Sequence, residues 1–473
     1  MRGGRITWLV LLLGACAAPS TGPAPARDEA FLDTLQQRTF GFFWELEDPR
    51  THLVPDRWPS KSFSSVAAVG FGLAGYPVGV ERGYVTRTQA AARTLATLRF
   101  FWTAPQGPAP AGVTGHKGFF YHFLDMETGR RFERVELSTI DTALLLGGIL
   151  VCREYFDGSA AEEREIRALA DSIYFRVDWQ WATVRAPLVS MGWKPEEGFL
   201  AYDWRGMNEA MLLYVLALGS PTHPVAPEAW SAWTSTYQWG TYYGQEHVGF
   251  APLFGHQYSQ LFIDFRGILD PYMRAKGIDY FENARRATLA QRAYAAANPG
   301  GWAGYSAEVW GLTASDGPVD ADYVIGGRSR HFMTYAARGA DFTEVRDDGT
   351  LAPTAAGGSI PFAPEIAIPA LREMRRRYGD RLFQKYGFVD AFNPTLTDPA
   401  LRVQTGSIVP GVGWFDVDYL GIDQGPILLQ AENHRSGLIW RLMRKSPYVV
   451  SGLKRAGFTG GWLDAATEGA RAD

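Results

Sequence analysis

Cysteine is nearly missing from this chain: two residues in 473, Cys16 and Cys152. Cys152 follows Ile149, Leu150 and Val151, a setting that predicts a buried, inert thiol, and if Cys16 is used up as argued below no intramolecular disulfide can form. Blocks of like charge are also lacking. A net charge of -4 with 20% charged residues carries no footprint of a nucleic-acid or anionic-membrane partner, so the expected partner is neutral. The eight histidines contain no helical i, i+4 pair with an acid between them and there is no cysteine cluster, so neither a catalytic metal nor a cofactor is expected. Gly-x-Ser-x-Gly does not occur, which removes the usual nucleophile turn of a serine hydrolase. No exact internal repeat is visible.

Aromatic residues, by contrast, are abundant: 14% of the chain, with sixteen tryptophans. Such a surplus either fills a large helical core or lines a groove where rings stack on the C–H faces of sugars. At the N-terminus, Arg2 and Arg5 precede the apolar run Trp8 to Leu13, too short to span a bilayer, and Leu13-Gly14-Ala15-Cys16 closes it. This resembles a bacterial lipoprotein signal. Residues 1–16 are then a signal ending at the lipidated Cys16, residues 17–28 a flexible tether, and residues 29–473 a single domain. An ordinary secretory signal is the alternative; either way the chain leaves the cytoplasm, and the anchored form faces the periplasm or the outer-membrane surface. The anchor would be its sole membrane contact, and a monomer is expected.

Two kinds of helical pattern alternate along the remainder. Asp28 to Leu46, Thr86 to Trp102, Ala161 to Trp179 and Asp279 to Ala297 are amphipathic. Ser65 to Tyr76, Ser138 to Cys152, Asn208 to Leu218, Gln257 to Ile268 and Pro426 to Leu442 are apolar nearly all round and must be buried on most sides. Strand-like alternation is confined to the region of Gly118 to Glu133. An amphipathic helix followed by an apolar one, repeated roughly six times, suits two concentric rings, an all-α (α/α) barrel.

In such a toroid the N-termini of the inner helices open on one end, so residues just before the apolar segments should converge. These are Glu136, Ser138 and Asp141; Asp203, Trp204, Asn208 and Glu209; His256 and Gln257; Asp316; and Asp423 with Gln424. Two carboxyl groups suffice to cleave a glycosidic bond, one protonating the leaving oxygen and one activating water or attacking the anomeric carbon. Each candidate also has a plainer role. Asp141 and Asn208 read as helix caps, Asp423 as a cap before a Gly-Pro start, and Glu432 as half of a buried ion pair. A first-turn acid normally has a depressed pKa, so Glu209 can act as an acid only if desolvation by Trp193, Tyr202 or Trp204 outweighs the helix dipole. His223 and His256 either bind sugar hydroxyls or fill polar helix ends.

Several strings carry a resemblance. Tyr202-Asp203-Trp204 with Asn208-Glu209-Ala210, Gly255 to Arg266, Asn283 to Thr288, Trp310 to Pro318, and Tyr419 to Pro426 with Glu432-Asn433 are similar to blocks of the bacterial glycoamylase-like family, glycoside hydrolase family 144, over roughly residues 30 to 455. The resemblance implies an (α/α)6 fold, no metal, and inverting hydrolysis of β-1,2-glucan, endo-acting or by release of short oligosaccharides from a chain end. It puts the general acid on Glu209 and the base on Asp423, with Asp390, Asp416 and Asp418 as rivals for the base, because insertions near Gly326 to Val345 and Asn393 to Val412 blur the spacing. Asp141, Glu136, Asp316, Trp193, Tyr202, Asp203, Trp204, Asn208, His256, Gln257 and Gln424 would bind substrate. A surface lipoprotein that captures glycan without cutting it, and a transglycosylase on a related glucan, remain open; carboxylates at the mouth weigh against pure binding.

Overall fold

The computed structural model describes residues 24–464. The signal-like stretch with Cys16, and most of the tether, therefore lie outside the described residues. Helix dominates the regular structure. In chain order the helices are α1 (Ala24–Glu45), α2 (Val66–Glu81), α3 (Arg87–Thr103), α4 (Thr139–Tyr155), α5 (Ala161–Phe175), α6 (Met211–Gly219), α7 (Glu228–Thr234), α8 (Phe254–Phe262), α9 (Pro271–Lys276), α10 (Tyr280–Ala297), α11 (Pro353–Gly357), α12 (Pro364–Tyr378), α13 (Gly421–Arg435), α14 (Leu438–Met443) and α15 (Pro447–Arg455). α1 thus begins inside the last residues of the expected tether.

The two helix classes separate by burial as their patterns demand. Every residue of α6 is buried, as are Val66 to Gly79 of α2 and Thr139 to Cys152 of α4. α5 buries only a stripe, Glu163, Ile166, Ala170, Ile173 and Tyr174, the spacing of one helical face. α2 packs between α4 and α13; α4 touches α6, α6 touches α8, and α8 touches α13. α11 packs on α13, and the Gln257 amide of α8 donates to Ala355 O and Ser359 Oγ beside it. Each buried helix has an outer partner: α1 and α3 on α2, α5 on α4, α15 on α6, α10 on α8, α12 on α11.

Glycines let the buried helices close up. A methyl at Gly70 of α2 would lie 2.6 Å from Leu145 Cα, and one at Gly148 of α4 would overlap Gly70 O. The two backbones touch directly. Prolines inside helices free carbonyls that distant side chains then use. Pro77 leaves Leu73 O to the Cys152 thiol at 3.1 Å, and Pro426 leaves Ile422 O to the Tyr258 hydroxyl at 3.2 Å. Cys152 is fully buried, and that burial pushes its thiol up to about 12, as an inert core cysteine requires.

Strands are short, and several lie directly before buried helices, Ser64–Ser65 before α2, Leu137–Ser138 before α4 and Tyr419–Leu420 before α13. The largest sheet has five, Gly115–His116, Phe119–Tyr121, Leu137–Ser138, Gly192–Lys194 and Gly198–Phe199, in the region where alternation was expected and extending beyond it. A hairpin pairs Ala321–Ile325 with Arg328–Phe332. Several helix boundaries differ from the sequence reading, among them those of α6, α8 and α13. α6 starts at Met211, because Asn208 Oδ1 takes the Ala210 N–H and holds the preceding turn irregular. α8 ends at Phe262, six residues early. The expected helix Pro426 to Leu442 starts at Gly421 and breaks at Gly437, whose φ of 67° no right-handed helix accepts.

Candidate active site

A cavity of ≈ 310 Å³ opens where α4, α6, α8 and α13 begin, walled by Ile140, Leu144, Met191, Trp204, Phe254 and Tyr258 and reached by the carboxyls of Glu136, Asp141 and Glu209. Its size falls at the lower end for small-ligand pockets. Glu209 stands just ahead of α6, its carbonyl fixed by the Ser259 hydroxyl at 2.6 Å. Burial, helped by the charge of Asp141 and opposed by its own backbone N–H, raises the Glu209 carboxyl to about 7. Desolvation therefore outweighs the helix start. The rings responsible are Trp204, Phe254 and Tyr258; Trp193 and Tyr202, the other suggested neighbours, do not line the cavity.

Opposite Glu209, Asp141 sits in the first turn of α4, where its N–H bonds the Ser138 hydroxyl at 3.2 Å and that hydroxyl in turn bonds the carboxylate. The cap reading and the cavity reading hold together for this residue. His122 bridges two acids, with Nδ1 2.8 Å from Glu136 Oε1 and Nε2 3.6 Å from Asp141 Oδ2. Burial pulls this imidazole down, but Asp141 and Glu136 more than offset it and raise it to about 9, so it is a cation at neutral pH. Glu136, pushed up by burial, is held below its usual range by the same His122.

A second hollow of ≈ 280 Å³ shares His122, Tyr335 and Ile422 with the first and is bordered by Asp56 and Arg57. Arg57 is the cation of a six-carboxyl cluster. Its Nη1 lies 2.6 Å from Asp316 Oδ2 and 3.7 Å from Asp418 Oδ2, and its Nε 3.4 Å from Asp56 Oδ2. Asp390 Oδ2 accepts the Asp316 N–H at 2.7 Å, and Asp418 Oδ1 accepts the Ser60 N–H at 2.9 Å. Asp390 Oδ1 and Asp423 Oδ2 have no conventional donor. They face each other through one shared proton: burial and the Asp423 charge raise Asp390 well above the carboxylate range, whereas for Asp423 the Asp390 hydrogen bond works against burial and leaves it at about 7. Asp390 is therefore the member of the pair that holds the proton more tightly, and Asp423 the one that ionises first. Burial, then Asp316 and Asp390, push Asp416 to about 9, so it too is protonated at neutral pH.

Among the described residues, Asp316, Asp390 and Asp416 form the one cluster spaced for a cation, with oxygens within 4.8 Å of one another. Arg57 and the shared protons already balance these charges.

Of the residues read from sequence, the structure brings Glu136, Asp141, Trp204 and Glu209 to the first cavity, and Asp316, Asp390, Asp416, Asp418 and Asp423 to the Arg57 cluster. Others are engaged elsewhere. Tyr202 is 72% exposed, and Trp193 stacks among His116 and Trp181 on the small sheet. Asp203 is clamped by Arg185 at 2.6 and 2.8 Å, and Asn208 is spent on the Ala210 N–H. His256 is buried with Nε2 on Phe250 O, Gln257 ties α8 to the residues around α11, and the Gln424 amide donates to Phe388 O. These five polar side chains are engaged by the fold and are not part of the cavity lining. Sequence reading passed over His122, Arg57 and Tyr335, which come from connecting segments and not from helix starts; the alternation around Gly118 to Glu133 was the available signal for His122.

The comparisons agree with this architecture. The family model "Glycoamylase", described as "Putative glucoamylase", matches residues 201–447, just over half of the chain. A crystal structure from Bacteroides uniformis with that same description is 31% identical, covers 92% of this chain and 98% of its own, and superposes with a TM-score of 0.77. The endo-β-1,2-glucanase of Chitinophaga pinensis, solved with sophorotriose and glucose, is 27% identical over 92% of this chain and 99% of its own, also with a TM-score of 0.77. A curated relative, the exo β-1,2-glucooligosaccharide sophorohydrolase (non-reducing end) of Parabacteroides distasonis, is 29% identical over 91% of this chain, which spans 58% of that relative's length. On the match of its family model and the Bacteroides uniformis likeness, the chain belongs to the Glycoamylase family.

Proposed function

We propose that the chain is a glycoside hydrolase that cleaves β-1,2-glucan with inversion, inside an (α/α)6 toroid made by the six apolar helices α2, α4, α6, α8, α11 and α13 and their outer partners. The observation that carries the reading is Glu209, a buried carboxyl raised to about 7 in an aromatic-walled cavity, together with a second buried carboxyl, Asp423, which gives up its proton before its hydrogen-bonded neighbour Asp390 does. Glu209 gives its proton to the glycosidic oxygen as the C1–O bond breaks. A water attacks C1 from the opposite face, and its proton passes to Asp423, directly or through a sugar hydroxyl or further waters. Asp416 is too basic to remain a carboxylate, and Asp418 is taken by Ser60 and Arg57, which favours Asp423 among the rivals.

His122 holds Glu136 and Asp141 as carboxylates for sugar hydroxyls, and Trp204 and Tyr258 offer ring faces. The matched glucanases support β-1,2-glucan as the substrate. Internal cleavage is favoured by the groove's length: the second hollow shares Arg57 and Phe63 with a third of ≈ 480 Å³, walled by Trp58, Met126 and Phe132. We further propose export and lipidation at Cys16, supported by the sequence of residues 1–16.

The test is reducing-end release from purified β-1,2-glucan by the wild type and Glu209→Gln, with the anomeric form of the first product read by NMR. An α-anomer from the wild type, and retained binding without turnover in the variant, are expected. Retained turnover in Glu209→Gln, or a β-anomer first, overturns the assignment.

A further inference from the structure

A concentration of positive charge lies away from the groove. Arg372, Arg375, Arg376 and Arg377 occupy α12, and folding brings Arg27 of α1 beside them around a surface hollow of ≈ 390 Å³ lined by Arg27, Ala30, Phe31, Arg372, Arg375 and Arg376. Two of these guanidinium groups have anion partners: Arg372 pairs with Asp28 at 2.7 Å and Arg376 with Glu373 at 2.6 Å. Arg27 and Arg375 have none among the described residues. Arg375 stacks over Phe383, 4.6 Å from the ring centroid, and both burial and the neighbouring Arg38 disfavour its charge. Two half-buried cations converge on one hollow with no direct ion-pair partner among the described residues, Asp380 being the carboxylate that acts on Arg375 from nearby; such a pair makes a receptor for an oxyanion, and the planar forks of arginine suit phosphate.

The place of this hollow says which phosphate. α13 starts at the groove with Asp423 and ends in Arg435, whose guanidinium meets Glu29, Asp33 and Gln36 on α1. The start of α1, and the arginine hollow beside it, therefore lie about 18 Å of helix away from the groove, on the other side of the molecule. Seven residues separate Cys16 from Ala24, so a lipid on Cys16 would keep α1 within about 28 Å of the bilayer however that stretch runs. A single lipid signal holds a protein only reversibly, and a basic patch is the usual second one.

We propose that the Arg27–Arg375 hollow binds the phosphate of anionic membrane lipids, and that this contact and the lipid on Cys16 together stand the enzyme with its glucan groove turned away from the membrane. The inference rests on the proposed lipidation for its setting, but the binding itself can be tested without it. Binding of this kind would depart from the expectation, drawn from net charge, of no anionic-surface partner; four of the arginines are neighbours on α12, and the fold adds Arg27 of α1 to them.

The experiment uses the unacylated chain from residue 17, which keeps every described residue. Flotation with phosphatidylcholine vesicles is compared with vesicles containing one third phosphatidylglycerol, at low and raised NaCl, for the wild type, Arg27→Gln/Arg375→Gln and the remote control Arg346→Gln. Binding to the anionic vesicles alone, weakened by salt, lowered roughly tenfold in the double variant and unchanged in Arg346→Gln, is expected. Equal melting temperatures and equal glucan hydrolysis for all three proteins show that the double variant is folded. Undiminished vesicle binding by the double variant, equal binding to neutral vesicles, or a melting temperature raised by inorganic phosphate with no vesicle binding overturns the proposal, the last in favour of a soluble anion. Release of the full chain from membranes by Cys16→Ser tests the lipidation separately.

Discussion

At the residue scale the chemistry turns on where two protons reside. Glu209 is neutral in the folded chain up to about pH 7 but would ionise near its ordinary value when unfolded. Turnover by the proposed mechanism should fall as pH rises through about 7, and a pH–rate profile of kcat checks this. The linkage has the unusual sign for an acid. Its raised folded pKa costs nothing below the ordinary value, costs increasingly as the pH climbs from there to about 7, and costs its full amount above that. Glu209→Gln should therefore melt at the same temperature as the wild type at pH 4 and higher at pH 8, while losing about 10²- to 10⁴-fold in turnover. A calorimetric scan at the two pH values measures the first effect. The Asp390–Asp423 pair gives a sharper test of roles: Asp390→Asn keeps a donor toward Asp423 and should retain far more activity than Asp423→Asn, as steady-state rates would show.

His122 has the ordinary sign for a histidine that gains partners. Its stabilising charge is fully present below the free imidazole value and is lost as pH rises through about 9. His122→Gln should lower stability by about 1–2 kcal/mol at pH 7, discounted for its partial exposure, and should weaken that pH dependence, as urea titrations at pH 7 and 10 would show. Sequence reading reached Glu209, Asp141 and Asp423 because helix starts announce themselves through Ser, Asn and Gly-Pro. His122 and Arg57 sit in connecting segments, where no period marks them, and the protonation of Asp390 depends on burial and on Asp423 and Asp316, which only the fold brings to it.

At the scale of elements, burial sorted the helices as hydrophobic pattern said it should, since a helix apolar all round has no stable place at a surface. What pattern could not carry was the exact start of each helix. Asn208 draws its hydrogen bond forward and delays α6, whereas Pro426 is tolerated inside α13 because Tyr258 serves the carbonyl it strands. α12 and α15 were passed over although both carry a clear apolar stripe, and α12 has Pro369 within it, which reads as a breaker from sequence. The contact between α2 and α4 yields a direct prediction. Gly148→Ala should cost about 1–3 kcal/mol in urea unfolding, and Gly70→Ala combined with it should cost less than the sum of the two single changes, because the first methyl already forces the backbones apart.

At the scale of the whole molecule, the segment after Asp316 reaches from the surface to the groove. Its hairpin tip stands in solvent, with Val324 74% exposed, while the same segment delivers Tyr335 to both hollows and anchors itself through the fully buried Arg338–Asp348 pair at 2.7 Å. The tip is therefore removable and the base is not. Replacing residues 324–329 by a two-residue turn should leave the melting temperature nearly unchanged and lengthen the shortest early products if the hairpin limits one end of the groove. A chain-length profile of the first few per cent of hydrolysis decides it; an unaltered profile would mean that the tip never meets the glucan.

The close seat of Gly70 against Gly148 also bears on how the enzyme can move. Peptide rests on peptide there, with no side chain between them to compress or rotate, so the two helices stand at the least separation that atomic radii allow. A sugar bound in the groove cannot draw α2 and α4 any closer together, so tightening of the groove around a bound glucan has to come from the segments that carry Tyr335 and His122.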